Sequence, residues 1–162
     1  MVQFLNKTFL TTFSIHITNQ VVCFQTPRII FINNTIYGMT GGQMAPTTIP
    51  GQVTQTTPFG RDPELAGYPV RVCEMLSTLT GTAYAHRVAV DSVPHIRDAK
   101  KAIRKAFETQ KAKKGFSIVE VLSTCPTNWG LTPTEAIKRL QDEMIPYYPL
   151  GVYKDTTEEG NE

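Results

Sequence analysis

Hydrophobic residues recur along this chain in two alternating rhythms. Arg28-Ile-Ile-Phe-Ile-Asn-Asn34 is a short run of β-branched residues closed by two asparagines, which predicts a buried strand running into a loop. Val72, Met75, Leu76 and Leu79 share one face of a predicted helix that Gly81 closes. Ala83 to Val90 (AYAHRVAV) predicts a second strand. Ile96, Ala99, Ile103, Ala106 and Phe107 then form a stripe at helical spacing, with Pro94 in the first turn. Phe116 to Leu122 (FSIVEVL) predicts a third strand, followed by the loop STCPTNWG. Thr132-Pro-Thr-Glu135 is a capping box that opens a helix through about Met144, and Pro146 and Pro149 end it.

Strands that alternate with helices in this way predict an α/β fold. The expected architecture is a three-layer parallel sheet with helices on both faces, from about Ile29 to Met144. Ligands of such sheets bind at the carboxyl ends of the strands. Two loops fall there, NNTIYGMTGGQMAPTT after the first strand and STCPTNWG after the last. The stretch from Gly38 to Pro63 has no apolar period and exceeds the roughly 12–15 residues at which structureless loops become uncommon. It is functional or disordered.

Composition sharpens the division of the chain. No Asp or Glu precedes Asp62 and no Gly precedes Gly38, although the chain carries 14 acidic residues and 11 glycines. The leading segment and the remainder do not read as parts of one evenly composed domain. Cys23, Cys73 and Cys125 are scattered without a C-x-x-C pair, which argues against a disulfide framework and suits a reducing cytoplasm. Residues Met1 to Val22 are moderately apolar but broken by Asn6, Lys7, His16, Asn19 and Gln20, a poor match to a signal peptide or a membrane helix. Between Arg97 and Lys114 eight basic residues face two acidic ones. That run reads as a solvated helix face, and no nucleic-acid motif supports more. The tail from Asp155 is expected to be loose.

Local chemistry is suggestive only in part. Asn33-Asn34 offers neutral oxygens at a strand end, suited to a hard cation such as Mg²⁺. Gly38, Gly41 and Gly42 allow backbone to approach a ligand closely, as a diphosphate would require. By themselves these residues read better as ordinary turn chemistry, and Cys125 by itself as a small buried hydrophobe.

The longer strings carry more. IFINNTIYGMTGGQMAPTTIPGQ, GRDPELAGYPVRVCEML, GFSIVEVLSTCPTNWGLTP and MIPYYPLGVYK together resemble the thiamine-diphosphate-binding β subunit of 2-oxoacid:ferredoxin oxidoreductases. The resemblance runs from about Ile29 to Lys154, the carboxyl-terminal part of that subunit's domain. The GMTGGQMAPTT form looks most like the 2-oxoglutarate type, with branched-chain and indolepyruvate relatives competing. It implies a thiamine-diphosphate-binding fold, here incomplete. It also implies oxidative decarboxylation of a 2-oxoacid to an acyl-coenzyme A, with electrons passing to ferredoxin, in a cytoplasmic assembly with α-type and other subunits. Carried over by position, Asn34 would bind Mg²⁺ through its side chain and Ile36 through its backbone carbonyl. Gly38 and Met39 would touch thiamine diphosphate, and Cys125 would supply one ligand of a [4Fe–4S] cluster. No catalytic residue is assigned in this chain.

The departures are equally specific. The family places Gly-Asp-Gly well upstream of Asn-Asn, the aspartate being the other side-chain ligand of Mg²⁺, and this chain has neither residue there. The remaining cluster cysteines are absent. The expected organisation is therefore a divergent leader (1–28), the carboxyl-terminal part of a thiamine-diphosphate domain (29–154) and an acidic tail (155–162). The alternative to an enzyme subunit is a catalytically incompetent, truncated remnant that keeps only scaffold and subunit contacts.

Overall fold

A computed structural model describes residues 28–157. Its centre is a four-stranded sheet in the order β1 (Arg28–Asn33), β5 (Phe116–Leu122), β4 (Thr82–Ala89), β6 (Gly151–Asp155). β1, β5 and β4 run parallel, with Asn33 and Ala89 both level with Leu122, so their carboxyl ends share one edge of the molecule. The expected parallel pairing of the AYAHRVAV and FSIVEVL segments is present. Both strands are buried along their whole length, as a strand covered on two faces should be.

Each face has its own helix. α3 (Val93–Lys111) starts at Ser92, whose hydroxyl accepts from the His95 amide, with Pro94 in its first turn. It buries Ala99, Ala102, Ala106 and Thr109 against Tyr84, Val88, Val119 and Val121. Of the expected stripe Ala99 and Ala106 are buried and Ile103 packs against them, whereas Ile96 and Phe107, at its two ends, are partly exposed. Three alanines on one face let the helix lie close to the sheet, which pushes the larger side chains to the rim. There the Arg28 guanidinium stacks on the Phe107 ring at 3.9 Å. On the opposite face α2 (Val72–Ser77) packs Leu76 against Ala85, Phe116 and Ile118.

At the carboxyl ends of the strands a third cluster joins Ile49, Ala89, Leu122, Leu140, Met144 and Tyr148. The Thr132 capping box forms as expected and opens α5 (Pro133–Arg139). The helix does not stop at Pro146. A π turn (Leu140–Met144) widens it, and α6 (Ile145–Tyr147) continues past the proline. A proline ring presses on the carbonyl one turn back, and a widened turn relieves that clash. β6 departs from the sequence expectation, because its residues GVYKD lie in a segment dominated by prolines and charges. It runs antiparallel on the edge of β4. Asp155 is not loose: Lys105 pairs with it, and Thr157 bonds its other oxygen. Residues 1–27 and 158–162, and with them Cys23 and most of the acidic tail, lie outside the described residues.

Candidate thiamine-diphosphate and magnesium site

The two loops singled out from the sequence leave from neighbouring strands. Ser123 N donates to Asn33 O at 2.9 Å, tying them together at the point of departure. From there the first loop runs through a short hairpin of β2 (Ile36–Tyr37) and β3 (Gln43–Met44). The second loop enters α4 (Pro126–Trp129).

The Asn-Asn pair splits in role. Asn33 is buried and turned inward: its Nδ2 donates to Glu120 Oε1 at 2.8 Å and its Oδ1 accepts from Thr35 N at 3.0 Å. Asn34 is only partly buried, and its Oδ1 accepts from Ile36 N at 3.3 Å. The Ile36 carbonyl in turn accepts from Gly38 N at 3.1 Å. A carbonyl oxygen has two lone pairs, so the bond from Ile36 N does not by itself prevent Asn34 Oδ1 from meeting a cation. Thr35, between them, has φ of 57°, a left-handed conformation that costs a β-branched residue energy and needs its surroundings to hold it. Thr48 Oγ1 (2.6 Å) and Gln52 Nε2 (3.1 Å) both donate to its carbonyl, while its own hydroxyl is buried without a partner.

Gly38 sits where the two loops meet. A Cβ there would lie 2.9 Å from Cys125 Sγ and 3.2 Å from Asn128 Nδ2, so a larger residue would have to displace one of these side chains. Asn128 Nδ2 donates to Gly38 O at 3.0 Å and lies 3.3 Å from Cys125 Sγ. Asn34, Gly38 and Cys125 are thereby brought into one neighbourhood, and Met39 stands beside them with its side chain 73% exposed. The rest of the long loop is ordered around Arg61. Its guanidinium is buried and donates to the carbonyls of Ala45, Pro46, Thr48, Ala66 and Gly67.

Under the loop lies a buried ion network that sequence reasoning missed. Arg87 and Glu120 face each other across β4 and β5 and are both fully buried. Arg87 Nε donates to Glu120 Oε2 at 2.9 Å, and its other nitrogens bond Glu74, Pro149 O and Tyr153 Oη. Burial alone would lower the Arg87 pKa; the hydrogen bonds to Glu74 and the Glu120 charge override it and push it up. Burial, reinforced by Glu120, likewise pushes the Cys73 thiol up, so that cysteine is an inert core residue. The available signal was one residue of opposite charge at the middle of each of two otherwise apolar strands, which almost always means a pair. Asn128, the clamp between the loops, carried no such signal.

The donor set fits Mg²⁺ and a diphosphate in part. Asn34 and the Ile36 carbonyl are hard neutral oxygens of the right kind, but an anionic ligand is missing. The first carboxylate in the chain, Asp62, is occupied as the cap of α1 (Pro63–Ala66), where its Oδ1 accepts from Glu64 N. A [4Fe–4S] cluster does not fit. Among the described residues no three His, Cys, Asp or Glu side chains gather to hold a metal, and Cys125 is the one cysteine at this edge, against the roughly four ligands such a cluster takes.

Comparison with known proteins defines the class. Residues 15–121 match the model of the thiamine pyrophosphate enzyme C-terminal TPP-binding domain, and the chain belongs to that family. Within it, the relatives are subunits of 2-oxoacid oxidoreductases. The chain is 47% identical over 131 residues to ketoisovalerate oxidoreductase subunit VorA of Methanothermobacter thermautotrophicus, covering 81% of this chain and 28% of that protein. It is 35% identical over 136 residues to 2-oxoglutarate synthase subunit KorB of Methanocaldococcus jannaschii, covering 81% and 45% respectively. A solved 2-oxoglutarate:ferredoxin oxidoreductase from Magnetococcus marinus shares the fold, with a TM-score of 0.67 at 21% identity over 89% of this chain and 52% of that one. The chain thus spans less than half the length of these curated relatives. No helix among the described residues is long and apolar enough to cross a membrane.

Proposed function

We propose that this chain supplies the carboxyl-terminal part of a thiamine-diphosphate site in a cytoplasmic 2-oxoacid:ferredoxin oxidoreductase, working with α-type and other subunits. The observation that carries this is the convergence of Asn34, the Ile36 carbonyl, Gly38 and Cys125 at the carboxyl ends of β1 and β5, in a chain of that domain family. Asn34 and Ile36 would hold Mg²⁺, with the missing carboxylate coming from elsewhere in the assembly. Gly38 and the exposed Met39 would lie against thiamine diphosphate. When bound, the cofactor supplies the nucleophilic carbon for decarboxylation, while the protein holds and orients it. The overall reaction converts a 2-oxoacid, coenzyme A and two oxidised ferredoxins to acyl-coenzyme A, CO₂, a proton and two reduced ferredoxins. Cys125 would contribute one of the cluster ligands only if other chain segments bring the rest.

For the 2-oxoacid, the GMTGGQMAPTT string suggests 2-oxoglutarate, whereas the 47% identity to the ketoisovalerate subunit favours a branched-chain acid. The missing anionic ligand favours a second reading, a scaffold remnant without activity. One experiment separates these. The chain is co-expressed with α-type subunits and with a polypeptide carrying Gly-Asp-Gly and the remaining cysteines. Ferredoxin reduction is then followed with 2-oxoglutarate or ketoisovalerate. Coenzyme A-dependent reduction lost in Asn34→Ala supports the enzyme subunit, and the preferred acid identifies the type. A stable assembly with no reduction on either acid supports the remnant.

A further inference from the structure

We propose that Glu120 is a positioning residue: its carboxylate fixes the orientation of the Asn33 amide and, through it, the turn that presents Asn34 and the Ile36 carbonyl. This rests on the reading that the turn faces Mg²⁺ and a diphosphate. Both Glu120 oxygens act only as acceptors. Oε2 accepts hydrogen bonds from Arg87 Nε at 2.9 Å and the Cys73 amide at 3.4 Å, and Oε1 accepts one from Asn33 Nδ2 at 2.8 Å. With Nδ2 held there, Asn33 has its Oδ1 directed at Thr35 N, 3.0 Å away. That contact restrains the one left-handed non-glycine residue in the turn, and Asn34 and Ile36 flank it. A side-chain amide free to rotate could present either its oxygen or its NH₂ to Thr35 N; the buried carboxylate removes the choice. Arg87 holds the carboxylate itself, anchored on α2 by Glu74 and on the loop before β6 by Pro149 O. The turn is therefore tied to α2, β4, β5 and the loop before β6, and not to β1 alone.

Hydrogen-bond polarity gives a specific test on the full chain. Glu120→Gln keeps shape but offers one acceptor and one donor. Its oxygen must face the Arg87 and Cys73 donors, so its NH₂ faces Asn33 and forces that amide to turn over, leaving two donors opposed at Thr35. Adding Asn33→Asp restores an acceptor toward the NH₂ introduced by Glu120→Gln and another toward Thr35 N. Amide hydrogen exchange by NMR reads the effect. In the unmodified chain the Asn33 side-chain NH₂ and the Thr35 amide exchange slowly. Glu120→Gln speeds Thr35 exchange by about tenfold or more, the factor expected for a lost hydrogen bond in a charge-bearing network. Exchange at Ala102 in α3 stays within about twofold, because distant units open independently. The double variant returns Thr35 to near its original protection. In the co-expressed assembly, where the remaining Mg²⁺ ligand is supplied, the Mg²⁺ concentration needed for half-maximal thiamine diphosphate binding rises in Glu120→Gln and returns in the double variant.

Rapid exchange of the Asn33 NH₂ in the unmodified chain overturns the proposal, as does unchanged Thr35 exchange in a folded Glu120→Gln chain. So does a double variant that behaves like the single one. Should Glu120→Gln fail to fold, the double variant and the Asn33 NH₂ measurement decide. If the co-expressed assembly binds no Mg²⁺–thiamine diphosphate, the cofactor reading fails, and exchange still decides the role of Glu120.

Discussion

On its inner side the loop after β1 rests on Asn33, Glu120, Arg87 and Arg61, each engaged by at least two hydrogen bonds to partners in other segments or along the turn. On its outer side it offers Asn34 and the Ile36 carbonyl, a mostly exposed Met39, and no carboxylate. The inner side is a finished structure and the outer side is half a site. The difference teaches that holding a loop and furnishing its ligands are separate tasks. This chain does the first from its own residues and, on the proposed function, takes part of the second from another segment.

The sharpest way to break the inner side is Arg87→Met. It leaves the fully buried Glu120 without its cation, and breaking a buried ion pair from one side costs about 3–5 kcal/mol. Thermal melting of the variant should show a large drop or loss of the transition; an unchanged midpoint contradicts the network's structural role. Arg61→Ala removes donors from three carbonyls of the long loop and two at the end of α1, and should cost about 2–4 kcal/mol, given the penalty for each buried acceptor left unpaired. Limited proteolysis should then cut between Gln43 and Asp62 first, and a chain that stays resistant there refutes the assignment. Gly38→Ala should cost about 1–3 kcal/mol by overpacking against Cys125 and Asn128. The Cys125→Ala background should recover part of that loss, which denaturant titration of the pair would reveal.

Acidification is expected to have the mildest effect. Burial lowers the His86 pKa against the opposing pull of Asp98, so the folded state prefers the neutral ring. Glu74, Asp91 and Asp155 are also held below their ordinary values: burial would raise each, but hydrogen bonds from Arg87, Gln141 and Lys105 respectively outweigh it. A depressed folded pKa contributes stability above the unfolded value and loses it as pH falls. Stability should therefore fall first below about pH 6.5 through His86, and again below about pH 4.5 through the carboxylates. Denaturant midpoints that rise between pH 7 and pH 4 would contradict this.

The legible parts of the molecule were those governed by local pattern. The parallel strands, the α5 capping box, the proline in the first turn of α3 and the position of both loops followed from period and capping residues. What escaped depended on the third dimension. β6 carries no strand pattern and exists because β4 has an open edge for it. The widened turn before Pro146 answers a clash that only an existing helix creates. The separate fates of Asn33 and Asn34 depend on Glu120, 87 positions away from Asn33 in sequence and beside it in the sheet. The family motif pointed to Asn34, Gly38 and Cys125, and it said nothing of the residues that hold their backbone in place.

Titration calorimetry of the purified chain with thiamine diphosphate, with and without Mg²⁺, tests the central claim most directly. An anionic ligand lost from a Mg²⁺ site removes affinity by orders of magnitude, each factor of ten being about 1.4 kcal/mol. The chain should bind no tighter than the millimolar range, and Asn34→Ala should change little. Micromolar, Mg²⁺-dependent binding abolished by Asn34→Ala would show that this chain holds a complete site and would contradict the account.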